Sequence, residues 1–166
     1  MDVRIEWGDG SRLGELRPLW LALHRHHRVV ATYGPLVADD EASWERRRDR
    51  YREALASGAG TLAIASTGEG VVGYAFALLH PGADDTFEHP GAGYAELYSL
   101  SVAEHVRGQG IGGRLCDALE SELARRGVSD WEVAVMAGNS AAARFYRRRG
   151  FLPSEELLRR PSTERR

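Results

Sequence analysis

A glycine-rich turn between a predicted strand and a predicted helix constrains this 166-residue chain more than any other feature. Four of the six residues from 108 to 113 are glycine, namely Gly108, Gly110, Gly112 and Gly113. Glycine lacks a Cβ atom, so the backbone can turn sharply there and approach a ligand closely. The turn also begins a helix, whose unpaired N–H groups and dipole favour an anion. With Arg107 at its mouth, the turn favours a phosphate or pyrophosphate ligand.

Polarity patterns and turn signals predict the element order β-α-α-β-β-β-α-β-α-β. The predicted strands are residues 3–7, 61–66, 71–80, 94–102 and 130–136, and a last strand from Phe151 onward. The predicted helices are about 12–28, 40–56, 111–126 and 140–149, with Ser11, Asp39 or Asp40, and Asn139 or Ser140 as candidate N-caps. A strand–helix–strand unit requires a parallel pair, whereas the turn at 67–70 predicts an antiparallel hairpin. The predicted fold class is a single mixed α/β domain over residues 1–160, with a polar tail at 161–166 that we expect to be frayed.

Composition excludes several classes of protein. The formal net charge of −2 argues against a generally basic nucleic-acid-binding protein. The single cysteine, Cys116, excludes a disulfide framework and a cysteine-rich zinc site, and we expect it in the core. All 22 basic residues are arginine, which excludes a phosphate-loop lysine. The chain lacks a signal-peptide pattern and an apolar run of the roughly 20 residues that cross a bilayer, so we expect a cytoplasmic protein without a membrane partner.

Two known patterns of pyrophosphate binding compete for the glycine turn. Gly108, Gly110 and Gly113 match the dinucleotide pattern G-x-G-x-x-G. In that fold, however, the pattern follows the first strand of the domain, and an acidic residue ends the next strand. Here three predicted strands precede the turn, and the strand after it ends in residues 133–136 without an acid. The dinucleotide interpretation therefore fits its surroundings poorly, and a tight turn without a ligand is a further alternative.

The second pattern has support on both sides of the turn. The sequence Arg107-x-x-Gly110-x-Gly112 resembles the acyl-CoA signature R/Q-x-x-G-x-G/A of the GNAT acetyltransferase superfamily. Residues 96–102 resemble the fourth strand of that family, and residues 139–151 resemble its second motif, approximately N-x-x-A-x-x-x-Y-x-x-x-G-F. The resemblance covers about residues 94–151 and implies a mixed, mostly antiparallel sheet flanked by helices. Residues 1–90 agree with the family only in the order of their elements.

The resemblance implies acetyl-CoA as the acyl donor. The pyrophosphate would lie on the backbone amides of Arg107, Gly108, Gln109, Gly110, Ile111, Gly112 and Gly113. The pantetheine arm would enter a gap beside the fourth strand, which family members usually open at a β-bulge, and would pair with the backbone of Leu100 and Val102. Asn139 would both cap the last helix and contact the cofactor, and Ala142 and Phe145 would also bind the cofactor.

For the chemistry, the resemblance implies direct attack of an amine on the thioester in a ternary complex, without an acyl-enzyme. Tyr146 matches the family tyrosine that protonates the departing sulfur. Glu96 stands where some members carry a catalytic glutamate. It is predicted to act as a base, directly or through a water, or to anchor the substrate cation, and His80 and Tyr98 are the alternative bases.

The acceptor site of the family is built from the first two helices, the loop between them and the loop before the fourth strand. The residues of this chain that are implicated in substrate binding are Trp20, His24, Tyr33 and Tyr98. Residues 80–104 contain five carboxylates and no arginine, which favours a cationic amine. We therefore expect a small-molecule amine as acceptor, with a peptide or protein amine as a further option. Homodimers are common in the family, so a homodimer is also expected.

Three other patterns receive a structural interpretation. His24 and His27 lie one helical turn apart, but they lack a matching carboxylate, and no metal site is predicted. The arginines of residues 46–52 alternate with acids and are predicted to form a solvated helix face. The basic region 144–166 matches no known nucleic-acid-binding module, so no nucleic-acid partner is expected. A non-catalytic acyl-CoA-binding or regulatory module on the same fold is the main alternative to an enzyme.

Overall fold

The fold is built on one five-stranded sheet with the strand order β1-β2-β3-β4-β5. A computed structural model of the chain describes residues 2–34, 36–82 and 93–160. The strands are β1 (Arg4–Gly8), β2 (Gly60–Thr67), β3 (Gly70–Pro81), β4 (Gly93–Val102) and β5 (Asp130–Glu132). The first four strands pair antiparallel, and β5 pairs parallel with β4. The mixed, mostly antiparallel sheet that the sequence predicted is thus confirmed.

In the described part of the chain, four α-helices flank the sheet, and side-chain capping explains where two of them begin. They are α1 (Arg17–Val30), α2 (Asp40–Ala56), α3 (Ile111–Arg125) and α4 (Ser140–Arg148). Asp39 caps α2 by accepting the Ala42 N–H at 2.9 Å, as predicted. At the first helix the prediction is wrong, because Ser11 is not the cap. Asp9 instead accepts the Ser11 N–H at 2.8 Å and starts a 3₁₀ turn at Gly10–Leu16, so that α1 begins only afterwards.

The sheet buries apolar side chains on both faces, because β2 and β3 alternate between two helical layers. On the face covered by α1 and α2, the α1/α2 face, these strands contribute Leu62, Ile64, Tyr74 and Phe76. On the face covered by α3, the α3 face, they contribute Ala63, Ala65, Ala75 and Ala77. The period of two along each strand therefore places bulky residues against one layer and small residues against the other.

A β-bulge interrupts β4 at Tyr98. Phe76 of β3 pairs with Ser99, but its neighbour Ala77 pairs with Leu97, so Tyr98 is an extra residue in β4. An extra residue shifts the alternation of all the side chains that follow it. The bulge that the family resemblance implied is therefore present.

The bulge divides a set of side chains that simple alternation would place on one face of β4. Tyr98 packs on the α1/α2 face, whereas Leu100 and Val102 pack on the α3 face. Glu96 pairs with Leu78, which also belongs to the α1/α2 face. Glu96 and Tyr98 therefore lie on one side of the sheet, and Leu100 and Val102 on the other.

The predicted last strand does not form in residues 151–160. The Phe151 N–H bonds to the Tyr146 carbonyl at 3.1 Å, and the Phe151 ring packs 4.9 Å from the ring of Trp131. The Phe151 side chain thus packs against Trp131 where α4 ends. Pro153, two residues later, has no N–H with which to pair with a neighbouring strand. The strand predicted at 130–136 is also shorter than expected, since only Asp130–Glu132 pairs.

Cys116 lies in the core, as predicted. Its side chain is fully buried on the α3 face. Burial raises the pKa of the Cys116 thiol to about 11, because the thiolate would lose its hydration. At neutral pH the thiol is therefore protonated, which is the state expected of a packing residue rather than a nucleophile.

We expect Cys116 to resist a disulfide exchange reagent at pH 8 in the native protein. Reaction should be at least about 100-fold slower than that of a free thiol, because both access and thiolate formation are suppressed. One full equivalent should react once the protein is unfolded in guanidinium chloride. Rapid reaction of the native protein would contradict this assignment.

Candidate active site

The strands β4 and β5 separate after three paired positions. Tyr94 pairs with Asp130 and Glu96 with Glu132, and there the ladder ends. β4 continues to Val102, whereas residues 133–136 follow β5 without joining a ladder. After Glu96, a gap in strand pairing therefore opens on the β5 side of β4, next to the Tyr98 bulge. We refer to it as the β4 gap.

Backbone polar groups of Leu100 and Val102 face the β4 gap. The Ala103 N–H donates to the Val72 carbonyl of β3 at 2.8 Å, so residue 103 turns its backbone toward β3. Backbone direction alternates along a strand, so the backbone of Leu100 and Val102 turns the opposite way. Arg107 Nε donates to the Val102 carbonyl at 3.1 Å, which agrees with this direction. The two residues that the resemblance assigns to the pantetheine arm are thus the ones with backbone groups on the open side.

The glycine turn forms at the end of β4 and begins α3. Gly108 and Gly110 have φ angles of +79° and +78°, a left-handed region that side chains disfavour. The first helical bond of α3 runs from the Arg114 N–H to the Gly110 carbonyl at 3.1 Å. The N–H groups of the three residues before Arg114 therefore have no acceptor within the helix. The first turn of α3 contains no acidic residue, so these N–H groups and the neighbouring Arg107 are available to an anion.

The helix α4 closes the β4 gap from the far side. A Cβ atom on Gly112 would lie 3.7 Å from the Phe145 ring, 3.8 Å from Val102 and 3.9 Å from Leu100. Gly112 therefore faces the space between β4 and α4, and its missing side chain keeps that space open. Asn139 caps α4 by accepting the Ala142 N–H at 3.1 Å, which confirms its predicted capping role. Ala142 packs with Phe145 against the α3-face cluster.

Tyr146 lies on α4 in the same cluster. Its side chain is buried, with the rings of Phe145 and Phe151 at centroid distances of 5.1 and 5.5 Å. Burial raises the pKa of the Tyr146 phenol well above its usual range, since the phenolate would lose its hydration. The phenol is therefore neutral and keeps its proton at physiological pH.

Glu96 lies on the opposite face of β4 from the cluster, close to His80 of β3 and Tyr94 of β4. His80 Nε2 is 3.6 Å from Glu96 Oε2, and the His80 ring stacks on Tyr94 at 4.7 Å. The Glu96 side chain is one quarter exposed, so its carboxylate is reached from solvent. Glu96 and His80, one of the predicted alternatives to it, thus form one acid–imidazole pair.

Arg47 of α2, which the charge pattern predicted to lie on a solvated face, instead lies beside two of the predicted acceptor residues. Its guanidinium lies over the Trp20 ring at 4.2 Å and over the Tyr98 ring at 4.0 Å. Trp44, Arg47, Tyr51 and Ala54 recur at helical spacing, and the other three are buried. That spacing places Arg47 on the inner face of α2, and it is the signal that charge alternation concealed. Arg48 and Arg52, in contrast, pair with Asp49 at the surface, as predicted.

The four predicted acceptor residues do not form one group. Trp20 and Tyr98 meet through Arg47, and His24 stacks on Trp20 at 5.9 Å. His24 is buried, and its Nε2 is held at 2.8 Å from the Val37 carbonyl. Tyr33 lies in the loop between α1 and α2, where it lines an open crevice of about 350 Å³ with Arg28 and neighbouring loop residues. Asp84, Asp85 and Glu88, three of the predicted rim carboxylates, lie outside the described residues.

His27 of α1 is half-buried near Arg47, and its pKa is lowered. Burial, together with the positive charge of neighbouring groups that include Arg47, lowers the pKa of His27 to about 4.

Within residues 2–34, 36–82 and 93–160, no three His, Cys, Asp or Glu side chains are grouped so that they could hold a metal ion. In the same ranges, no helix has both the length and the apolar character needed to cross a bilayer.

Two solved structures share this fold closely. A GCN5-related N-acetyltransferase from Ralstonia eutropha JMP134 superimposes with a TM-score of 0.75 at 18% identity, covering 96% of this chain and 99% of that one. The structure of AAC(6')-Iy in complex with the bisubstrate analogue CoA-S-monomethyl-acetylneamine gives a TM-score of 0.69 at 14% identity, covering 98% and 99%. At these identities the likeness establishes the fold.

Sequence comparison extends the likeness from fold to family. A curated mycothiol acetyltransferase from Nocardioides sp. (strain ATCC BAA-499 / JS614) is 31% identical over 96 residues, which are 58% of this chain. The match spans about a third of that relative's length, at 32%. The acetyltransferase (GNAT) family matches residues 20–151, a range that includes the glycine turn, the bulged strand and α4. Because this match covers most of the chain, the protein belongs to the acetyltransferase (GNAT) family.

Proposed function

We propose that the chain is an N-acetyltransferase that moves an acetyl group from acetyl-CoA to a primary amine of a small molecule, by direct attack in a ternary complex. The observation that carries this proposal is the β4 gap. It combines backbone groups of Leu100 and Val102, with which β5 does not pair, and an anion-binding turn at its end. A long thioester with a pyrophosphate needs both features in this order. The bisubstrate analogue in the AAC(6')-Iy structure, a CoA derivative joined to an aminoglycoside fragment, supports a small-molecule acceptor.

The residues around the β4 gap fit acetyl-CoA. The unpaired N–H groups of the first α3 turn and Arg107 would hold the pyrophosphate, and the backbone of Leu100 and Val102 would hold the pantetheine amides. Gly112 leaves room beside Phe145 that a larger side chain would occupy. When bound, acetyl-CoA supplies an acetyl thioester, from which an amine takes the acetyl group as the thiol leaves.

Two side chains on opposite sides of β4 would handle the two protons of this exchange. The amine must lose a proton to attack, and Glu96, alone or with His80 and a water, would accept it. The departing sulfur needs a proton, and Tyr146 would donate it from its neutral phenol. One N–H of the Leu100–Val102 segment would donate to the acetyl oxygen as negative charge develops there.

Binding of acetyl-CoA is tested with a matched pair of variants at Gly112. Wild type at 100 times the Kd of acetyl-CoA should gain about 2.7 kcal/mol of stability, which raises the melting temperature by a few degrees. Gly112→Val should weaken acetyl-CoA binding at least tenfold, because its branched side chain would enter the β4 gap. Gly112→Ala should bind like wild type, since its Cβ atom makes only ordinary contacts of 3.7 Å or more.

The same measurement decides between the alternatives. Stabilisation by NADH but not by acetyl-CoA would favour a dinucleotide enzyme. Equal acetyl-CoA affinity in both Gly112 variants would place the cofactor elsewhere. Acetyl-CoA binding without thiol release in the presence of any amine from a broad panel would favour a non-catalytic acyl-CoA-binding module.

Tyr146→Phe should lower kcat by about 100-fold while the Kd of acetyl-CoA changes by less than about twofold. The substitution removes only the hydroxyl, so the ring keeps its contacts with Phe145 and Phe151. Thiol release and calorimetric titration measure the two quantities separately. Unchanged kcat would remove Tyr146 as the proton donor.

Glu96→Gln should make kcat/KM rise steeply with pH. Without a base, the rate follows the neutral fraction of the free amine, which grows about tenfold per pH unit below the pKa of the amine. Wild type should be flatter over pH 7–9, because Glu96 takes the proton from the ammonium form. His80→Gln, measured in parallel, shows whether the imidazole shares this role. Identical pH profiles for wild type and Glu96→Gln would show that the base lies elsewhere.

A further inference from the structure

Arg47 is a charged side chain inside the acceptor half of the molecule that the reaction described above does not use. It is half-buried between α2 and β4 on the α1/α2 face. The guanidinium lies over two rings, Trp20 at 4.2 Å and Tyr98 at 4.0 Å, and within 5.7 Å of the Tyr51 ring. Aromatic faces attract a cation and hold it in place, but they do not neutralise its charge.

Arg47 lacks an acidic partner in the described part of the chain. Three arginines near this part of the fold do pair with acids: Arg17 with Glu41, and Arg25 and Arg28 with Asp40. Arg47 instead makes one long bond, from a terminal nitrogen to Ser99 Oγ at 3.5 Å. The Ser99 hydroxyl already accepts from Tyr51 at 2.6 Å and donates to the Tyr98 carbonyl at 2.7 Å. Arg47 therefore keeps most of its five N–H donors for another acceptor.

A second arginine extends the positive charge toward solvent. Arg50, one turn further along α2, donates to the Tyr98 hydroxyl at 3.1 Å and lies 5.7 Å from the centre of the same ring. Arg50 is exposed and, among the described residues, has no ion pair. The positive charge of Arg47 helps to lower the pKa of His27, which is therefore neutral at physiological pH. The Arg47 neighbourhood is thus a positively charged, aromatic surface on which no described residue supplies a compensating carboxylate.

The Arg47 neighbourhood lies close to Glu96 along β4. Tyr98 is the bulge residue, and Glu96 precedes it by two residues on the same face of β4. Two residues of a strand span about 7 Å. A ligand whose amine lies at Glu96 therefore extends a few bonds to reach the guanidinium above Tyr98.

We infer that the acceptor carries an anionic group, a carboxylate in the simplest case, close to the amine that is acetylated, and that Arg47 binds this group. The substrate class is then that of amino acids and related amines with an acidic group a few bonds from the nitrogen. A guanidinium held by two rings is well suited to this task, because its planar donors match the two oxygens of a carboxylate. This inference rests on the proposed function, in which an amine accepts the acetyl group.

The test uses pairs of amines that differ only in the carboxylate: phenylalanine with phenethylamine, lysine with cadaverine, and alanine with ethylamine. In wild type, kcat/KM for the preferred carboxylated member should exceed that of its partner at least tenfold. Arg47→Gln should remove that preference through KM and leave the decarboxylated amine within about threefold of wild type. Arg46→Gln is the matched control, since it removes the same charge from an exposed position of α2 and should change neither member.

Two further measurements keep the outcome clear. Arg47→Lys retains the charge but not the paired donors, so it should keep part of the preference even if Arg47→Gln folds poorly. Calorimetric titration of the CoA-loaded protein with the same ligands reports binding without turnover. Carboxylated ligands should bind wild type and lose at least tenfold in affinity in Arg47→Gln.

The outcomes separate this inference from the proposed function. Acetylation that is equal for both members of each pair, and equal in wild type and Arg47→Gln, would overturn the role of Arg47 while the acetyltransferase stands. Carboxylate binding that depends on Arg47, without acetylation of any amine, would retain the anion site and reject the enzyme. Preference for the decarboxylated amines would reject an acidic acceptor.

Discussion

The extra residue at Tyr98 in β4 governs the orientation of both halves of the site. Before the bulge, Glu96 turns toward the helices α1 and α2. After it, Leu100 and Val102 pack toward α3 and direct their backbone groups to the side that β5 has left. A regular strand would place Tyr98 and Leu100 on one face, because side chains alternate with a period of two. In the proposed function, the bulge would let one strand bind the acyl donor along its edge and the acceptor amine on its face.

The two faces of the sheet differ in the charge state of the polar groups that they bury. The α3 face is apolar around Cys116 and Tyr146, and burial raises the pKa of both groups, so that they remain protonated. The α1/α2 face instead holds the Arg47 cation among aromatic rings. Removing a guanidinium from water is costly unless a partner is present, and here rings supply only part of that compensation. Such a group is most easily explained by a ligand that completes it.

The sequence correctly predicted the features that depend only on residues close together in the chain. The positive φ angles at Gly108 and Gly110 and the caps at Asp39 and Asn139 depend on a few neighbouring atoms, and the sequence places suitable residues there. The strand from Phe151 failed because a strand needs a partner, and pairing is decided far away in the chain. Arg47 was missed because a charge pattern was given more weight than the helical spacing that it shares with Trp44 and Tyr51.

By itself, the amino-acid sequence determined the mixed α/β class, the glycine turn at the start of α3 and the two motifs that carry the family likeness. These follow from backbone preferences and periodicity, which act over a few residues. The tertiary structure alone decided that β5 leaves β4 after Glu96, that Tyr98 is the bulge, and that Arg47 lies over Trp20 and Tyr98 without an acid among the described residues. Those features depend on the register between strands and on packing between residues that lie about 20 to 50 positions apart, which no local pattern encodes.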